Sequence, residues 1–123
     1  MPELETDVET PPARWVEAVR EPVTGDDMME MARDAAGRGD YRESLSILRK
    51  VKEVRDLMYG PDGLETAIVC DEMASVYERL GDPGQAEILC RGALAVYERL
   101  LGENHPDTAA VYNNLAGICM AQQ

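Results

Sequence analysis

The side chains with the means for chemistry in this 123-residue chain are three Cys, one His and a short run of acids. Cys70, Cys90, Cys119 and His105 are the right kinds of residue for zinc, but their spacings are wide and no Cys-x-x-Cys occurs. A nucleophilic Cys needs a nearby base and an oxyanion site, and His105 needs an orienting partner to act as that base. Neither requirement is visible. All three Cys fall at or beside inward positions of a helical pattern, so they read as buried thiols. Cys90 and Cys119 stand where neighbouring helices bring them face to face, although a bond between them requires an oxidising compartment. His105 precedes Pro106 and reads as a loop and capping residue. Asp71 and Glu78 lie two turns apart on one helical face, with Glu72 beside them. As a general acid–base pair they lack a cleft and an electrophile. Two readings remain for them: a groove for a basic peptide, or a solvated face. Gly60-Pro61-Asp62-Gly63 lacks the Lys and Ser or Thr of a phosphate-cradling loop. The expectation is a chain without catalytic residues, metal or cofactor.

The elements that carry these residues repeat. Gly39-Asp40 returns 42 residues later as Gly81-Asp82, and Gly60 returns as Gly102. Ser44, Leu48 and Val51 return as Ala86, Cys90 and Ala93; Met31-Ala32 returns as Met73-Ala74 and as Leu115-Ala116. A fixed period of this length marks a solenoid. Apolar residues spaced by three and four predict five helices. They run from about Asp26 to Gly37 (with Thr24 as cap), Tyr41 to Tyr59, Leu64 to Leu80, Pro83 to Leu101, and from Pro106 onward. The inward sets include Leu45, Leu48 and Val51 with Ile47, Val54 and Met58 in the second helix, and Val69, Met73, Val76, Tyr77 and Leu80 in the third. The fourth offers Ala86, Leu89, Cys90, Ala93, Tyr97 and Leu100, and the fifth Val111, Tyr112, Leu115, Ile118 and Cys119. The glycines stop helices, and Asp82 with Pro83 forms an N-cap followed by proline at the first helical position. No alternating strand pattern is present, and the fold class expected is all-α.

Composition narrows the function. There is no Phe, one Trp and five Tyr, so the core is built from aliphatic residues, Ala, Met and Cys. A formal charge of −12 argues against nucleic acid, which needs a basic stripe, and against an anionic membrane surface. No apolar run approaches the roughly 18 residues that span a bilayer. The start, MPELETDVETPP, has neither the basic-then-apolar pattern of a secretory signal nor the Arg-rich character of a transit peptide. The expected location is the cytoplasm, or an organelle if a presequence was trimmed.

The pairs Met31-Ala32, Met73-Ala74 and Leu115-Ala116, aromatic Tyr77, and the small residues Ala86 and Ala93 (Ser44 and Val51 in the first unit) resemble the tetratricopeptide repeat. Small residues at those positions let helices cross closely. The 42-residue period and the segment ALAVYERLLGENHPDTAAVYNNLA resemble the kinesin-light-chain type. The resemblance covers about residues 25–123 and is strongest in the second and third units. It implies a short right-handed α-solenoid of two helix pairs plus one unpaired C-terminal helix, with repeats at about 25–66 and 67–108 and a partial one at 109–123. It also implies a concave groove that receives an extended peptide. By position, the lining would be Met29 and Arg33, then Ile68, Asp71, Ser75, Glu78 and Arg79, then Ala110, Asn113, Asn114, Gly117 and Met120. Asn residues of the family hold the peptide backbone; Asn113 and Asn114 stand at those positions here, against Asp71 and Glu72 in the second unit. An acidic lining favours a basic or neutral segment over an acidic one.

Residues 1–23 read as an acidic leader, and 24–123 as the repeat domain. Within the leader, Ala13–Val19 fits two helical turns with Trp15, Val16 and Val19 on one side, either folded onto the first helix or anchoring a partner. The last helix combines polar Gln122 and Gln123 with apolar Tyr112, Ile118 and Met120. It is expected to lie against a partner, a second copy included. Two functions follow. One is a non-catalytic adaptor that grips a protein segment in its groove. The alternative is an accessory structural subunit of a larger assembly, held through docking residues Trp15, Tyr112 and Ile118.

Overall fold

The computed structural model describes residues 25–122, so Trp15, Thr24 and the leader lie outside the described residues. Five helices follow one another: α1 (Gly25–Gly37), α2 (Tyr41–Tyr59), α3 (Leu64–Arg79), α4 (Pro83–Leu101) and α5 (Pro106–Ala121). No strand occurs among the described residues. The turns explain the boundaries. Gly39, Gly60, Gly81 and Gly102, each 21 residues from the next, all have φ between 82° and 91°. Gly60 and Gly102 combine this with ψ of 161° and 158°, a region open to essentially no other residue. Each stop is therefore written into the chain by one residue type. Two starts, those of α4 and α5, carry side-chain caps, whereas Asp40 before α2 and Gly63 before α3 make no such bond. Asp82 accepts the Gln85 N–H at 3.2 Å ahead of Pro83. His105 Nδ1 accepts the Asp107 N–H at 3.0 Å ahead of Pro106. Such caps satisfy backbone donors that the first turn leaves without partners.

Each helix packs on the next along the chain, and the α3–α4 contact is the most extensive. Two apolar clusters result. The first joins α1, α2 and α3 through Met29, Ala32, Leu48, Val51, Met73 and Val76. The second joins α3, α4 and α5 through Ala74, Ala86, Cys90, Tyr97, Val111 and Ile118. Ile68, Tyr77 and Leu89 pack against both. Small residues sit at the closest crossings: Ala32, Ala74, Ala86 and Ala93 are at most 1% exposed. Ser44 takes the register position of Ala86 in the first unit. Its hydroxyl donates to the Ala32 carbonyl at 2.7 Å, so the buried oxygen is satisfied.

The expected two helix pairs plus a fifth helix are present. Several expected inward residues are not inward. Val54, Met58, Leu80 and Leu100 are exposed, as is Leu57. They fall in C-terminal turns or just past them, on sides that neither neighbouring helix covers. Periodicity marks an apolar stripe but not how far along it the adjacent helix reaches.

Candidate functional site

The face expected to bind is formed by α1, α3 and α5, the first helices of each unit. Polar side chains tie these three together across the stack. Arg33 of α1 donates from Nε and Nη2 to Glu72 Oε1 of α3 at 3.2 and 3.0 Å. Asn114 of α5 donates from Nδ2 to the Asp71 carboxylate of α3 at 3.1 and 3.3 Å. Glu72 and Asn114 are 42 residues apart and hold the same repeat position, so one position reaches back to the preceding unit twice.

The Arg33–Glu72 bridge borders a depression of about 340 Å³, where Ser75 and Arg79 of α3 stand opposite Ala36 and Gly37 of α1 above Ala32 and Val76. On the other side of Arg33 lies a second depression of about 370 Å³, bounded by Asp26, Glu30, Arg55 and Ile68. Of the residues expected to line the groove, Arg33, Ser75 and Arg79 thus come together in one depression, and Ile68 lines the other. Asp71 and Asn114 meet each other. The Glu78 carboxylate approaches Gly117 of α5, 3.6 Å from where a Cβ would stand. Ala110, Asn113 and Met120 are exposed on α5.

Two of the expected residues lie in the core. Met29 is 3% exposed and belongs to the first cluster, and it also lines the second depression beside Ile68. Ile118 is 1% exposed and packs into the second cluster, so it is already used by the chain's own core and is not available for docking. Tyr112 is 42% exposed, with its hydroxyl at the Glu98 carboxylate of α4.

The electrostatics are less acidic than the sequence suggests. Glu72 is engaged by Arg33, an ion pair with side chains 52% and 32% exposed and so worth no more than about 1 kcal/mol. Burial raises the Asp71 carboxyl above its ordinary range; the Asn114 hydrogen bond pulls it back down, and the Glu72 charge adds to the rise. Glu78 and Arg79 form no ion pair among the described residues and remain the charges available on this face. Sequence reasoning missed the cross-helix pairs. Their separations of 39 and 43 residues equal the repeat length minus three and plus one, which places the partners on adjacent turns of stacked helices. It also missed Arg55, whose guanidinium donates to the Glu65 carbonyl at 2.9 Å and lies 3.7 Å from Asp26, fixing the start of α3 beside the start of α1.

Cys90 is a core thiol, and Cys70 and Cys119 are half-buried. Cys70, Cys90 and Cys119 are all free. Cys90 Sγ points at the Val111 carbonyl at 3.7 Å, and burial pushes its thiol up to about 11, which keeps it protonated at neutral pH. No cluster of three or more His, Cys, Asp or Glu able to hold a metal ion occurs among the described residues. No helix among them is long and apolar enough to cross a membrane.

Residues 70–123 match the family model of the tetratricopeptide repeat. The chain is also similar to the "Clustered mitochondria protein" of Arabidopsis thaliana, 32% identical over 90 residues that make up 73% of this chain and 6% of that protein. It is 30% identical over 95 residues to the "Clustered mitochondria protein homolog" of Lodderomyces elongisporus, covering 77% of this chain and 7% of that protein. The chain thus spans less than a tenth of the length of these relatives. Together with five stacked helices and the 42-residue register, the family match makes the fold an all-α tetratricopeptide-repeat solenoid.

Proposed function

We propose that this solenoid is a non-catalytic protein-interaction module of the kinesin-light-chain-like repeat type, gripping an extended partner segment along the face of α1, α3 and α5. The observation that carries this reading is the division of labour on that face. Arg33–Glu72 and Asp71–Asn114 fix the helices to one another, while Ser75 and Arg79 keep free polar groups at a ready-made depression and Glu78 stands beside Gly117 of α5. A surface organised before its partner arrives loses less entropy on binding. Glu78 suits a Lys or Arg of the segment, and the Ser75 hydroxyl suits its backbone, so the segment favoured is basic or neutral. The relatives' names direct the search for the partner to mitochondria, with the module on the cytoplasmic side.

A peptide library displayed on phage and selected against the full chain tests this. Enriched sequences rich in Lys or Arg, or neutral, are expected. Ser75→Trp fills the depression and should abolish capture, and Glu78→Arg should shift the enriched sequences toward acidic residues. The reading fails if nothing is enriched, or if the enriched peptides bind Ser75→Trp as well as the parent.

A further inference from the structure

α2 exposes apolar atoms at positions where α4 hides them. Val96 of α4 is 7% exposed in the second cluster, and Leu101 packs against that cluster. Their repeat equivalents on α2, Val54 and Tyr59, are 53% and 49% exposed. Leu57 and Met58, between them, are exposed as well. All four fall in the last two turns of α2 and form one apolar patch, the mark of an interaction surface.

The repeat register points to what covers it. α2 has α1 and α3 on its two sides, as α4 has α3 and α5. What α4 has in addition is the end of the preceding second helix and the turn that follows it. Arg99, in the last turn of α4, donates to the Asp62 carbonyl of the α2–α3 turn at 2.9 Å. One period of 42 residues before 57–63, the chain reads Trp15-Val16-Glu17-Ala18-Val19-Arg20-Glu21. Trp15 and Val16 thus hold the register of Leu57 and Met58. This segment lies outside the described residues, but the point where it joins the fold does not. Asp26, in the first turn of α1, stands 3.7 Å from Arg55, the residue after Val54. The chain ahead of Gly25 therefore meets α1 beside the patch.

Charge agrees with this placement. α2 is the one helix among those described with more bases than acids, five against three, in a chain of net charge −12. Its Arg42, Arg49 and Lys50 form no ion pair among the described residues, and they precede the patch along the helix. Residues 1–10 carry four acids and no base. A chain running back from Gly25 along α2 brings those acids to those bases. Reach is ample, since α2 is about 28 Å long and 24 extended residues span up to about 80 Å.

We propose that the segment Ala13–Val19 of this chain docks through Trp15, Val16 and Val19 on the patch of Val54, Leu57 and Met58, with the acids of residues 3–9 continuing toward Lys50, Arg49 and Arg42. Trp offers the largest apolar body for such a patch, and the tether makes the contact intramolecular, so a small interface suffices. The contact lies on α2 and stands whether or not the face of α1, α3 and α5 grips a peptide.

Trp15 is the single Trp of the chain, so its fluorescence reports on this segment directly. In the full chain its emission is expected to the blue of that of a synthetic peptide of residues 1–24, with weaker quenching by acrylamide. Leu57→Ser combined with Met58→Ser alters side chains that are 88% and 66% exposed, so far-ultraviolet circular dichroism should stay unchanged while both readouts return to the peptide's values. Leu57→Lys alone serves as a second variant should the pair fail to fold. Lys50→Glu should raise quenching at low salt, and Arg79→Ser in the groove should alter neither readout. The proposal is overturned if Trp15 of the full chain emits and quenches as the free peptide does. It is also overturned if Trp15 stays protected in the Leu57→Ser, Met58→Ser protein, because the segment then lies elsewhere. Protection that disappears on dilution overturns it too, since α2 of a second copy is then what Trp15 meets.

Discussion

Ala74 and Ala116 occupy one repeat position in two environments, and enlarging each in turn separates packing from helix propensity. Ala74 is 0% exposed at the α3–α4 crossing, whereas Ala116 is exposed on α5. Leu is nearly as good a helix former as Ala, so propensity contributes only a few tenths of a kcal/mol at either site. At position 74 the added carbons have no room, and overpacking of this kind costs about 1–3 kcal/mol. At position 116 they enter solvent, and the change stays within about 0.5 kcal/mol. For a domain near 100 residues, each kcal/mol moves Tm by about 4–8 °C. Ala74→Leu is thus expected to lower Tm by roughly 4–24 °C, and Ala116→Leu by no more than about 4 °C. Thermal melts followed by far-ultraviolet circular dichroism, with urea midpoints at matched m-values, measure both. Equal losses at the two sites refute the reasoning, because they mean that the α5 face is already covered or that the register joining the two alanines is wrong.

Other expectations concern the turns, the buried carboxyl and the thiols. Gly102→Ala forces a Cβ into backbone with φ 91° and ψ 158° and should cost about 1–3 kcal/mol in urea unfolding, although nothing lies within 4 Å of the new atom; a neutral result removes the conformational account of the helix stops. Because the folded Asp71 carboxyl sits above its ordinary value, the folded state holds that proton more tightly than the unfolded chain does. Its contribution is complete below the unfolded value near about 4 and is lost as pH rises through the folded one. The stability of the parent relative to Asp71→Asn should therefore fall as pH rises across that window, and a pH-independent difference between the two proteins contradicts it. With the Cys90 thiol held up at about 11 and Cys119 only half-buried, alkylation near pH 8 followed by mass spectrometry should modify Cys119 well before Cys90 in the folded protein. Simultaneous modification of the two is the contrary result.

Most of the fold was legible because its punctuation is local. Gly60 and Gly102 end helices through their own backbone freedom, and Asp82 with Pro83 starts one through its own side chain, so α4 begins and ends, and α2 ends, where the residues alone place them. The candidate site was legible only in part. The expected lining came from repeat position, and repeat position does not fix burial: Met29, Asp71 and Asn113 are equivalents, yet they are buried, half-buried and exposed in turn. The reason is their place in the stack, since each unit has different neighbours. The acids of α3 were counted as open charges because their partners, Arg33 and Asn114, stand 39 and 43 residues away and meet them only once the helices stack. Val54 and Leu100 fit the apolar stripes of their helices, but the stripe extends past the surface that a neighbour covers.

Because each helix leans chiefly on those before and after it, the molecule assembles without a long search. Contacts between segments close in the chain form at low cost in loop entropy, and architectures of this kind reach the native state in milliseconds or less. The half built from α3 and α4, with the broadest contact, is the natural nucleus. Ile68, Tyr77 and Leu89, shared by both clusters, are the seam along which it recruits the α1–α2 hairpin. The α1–α2 hairpin is thus tied to the rest of the stack through those three side chains.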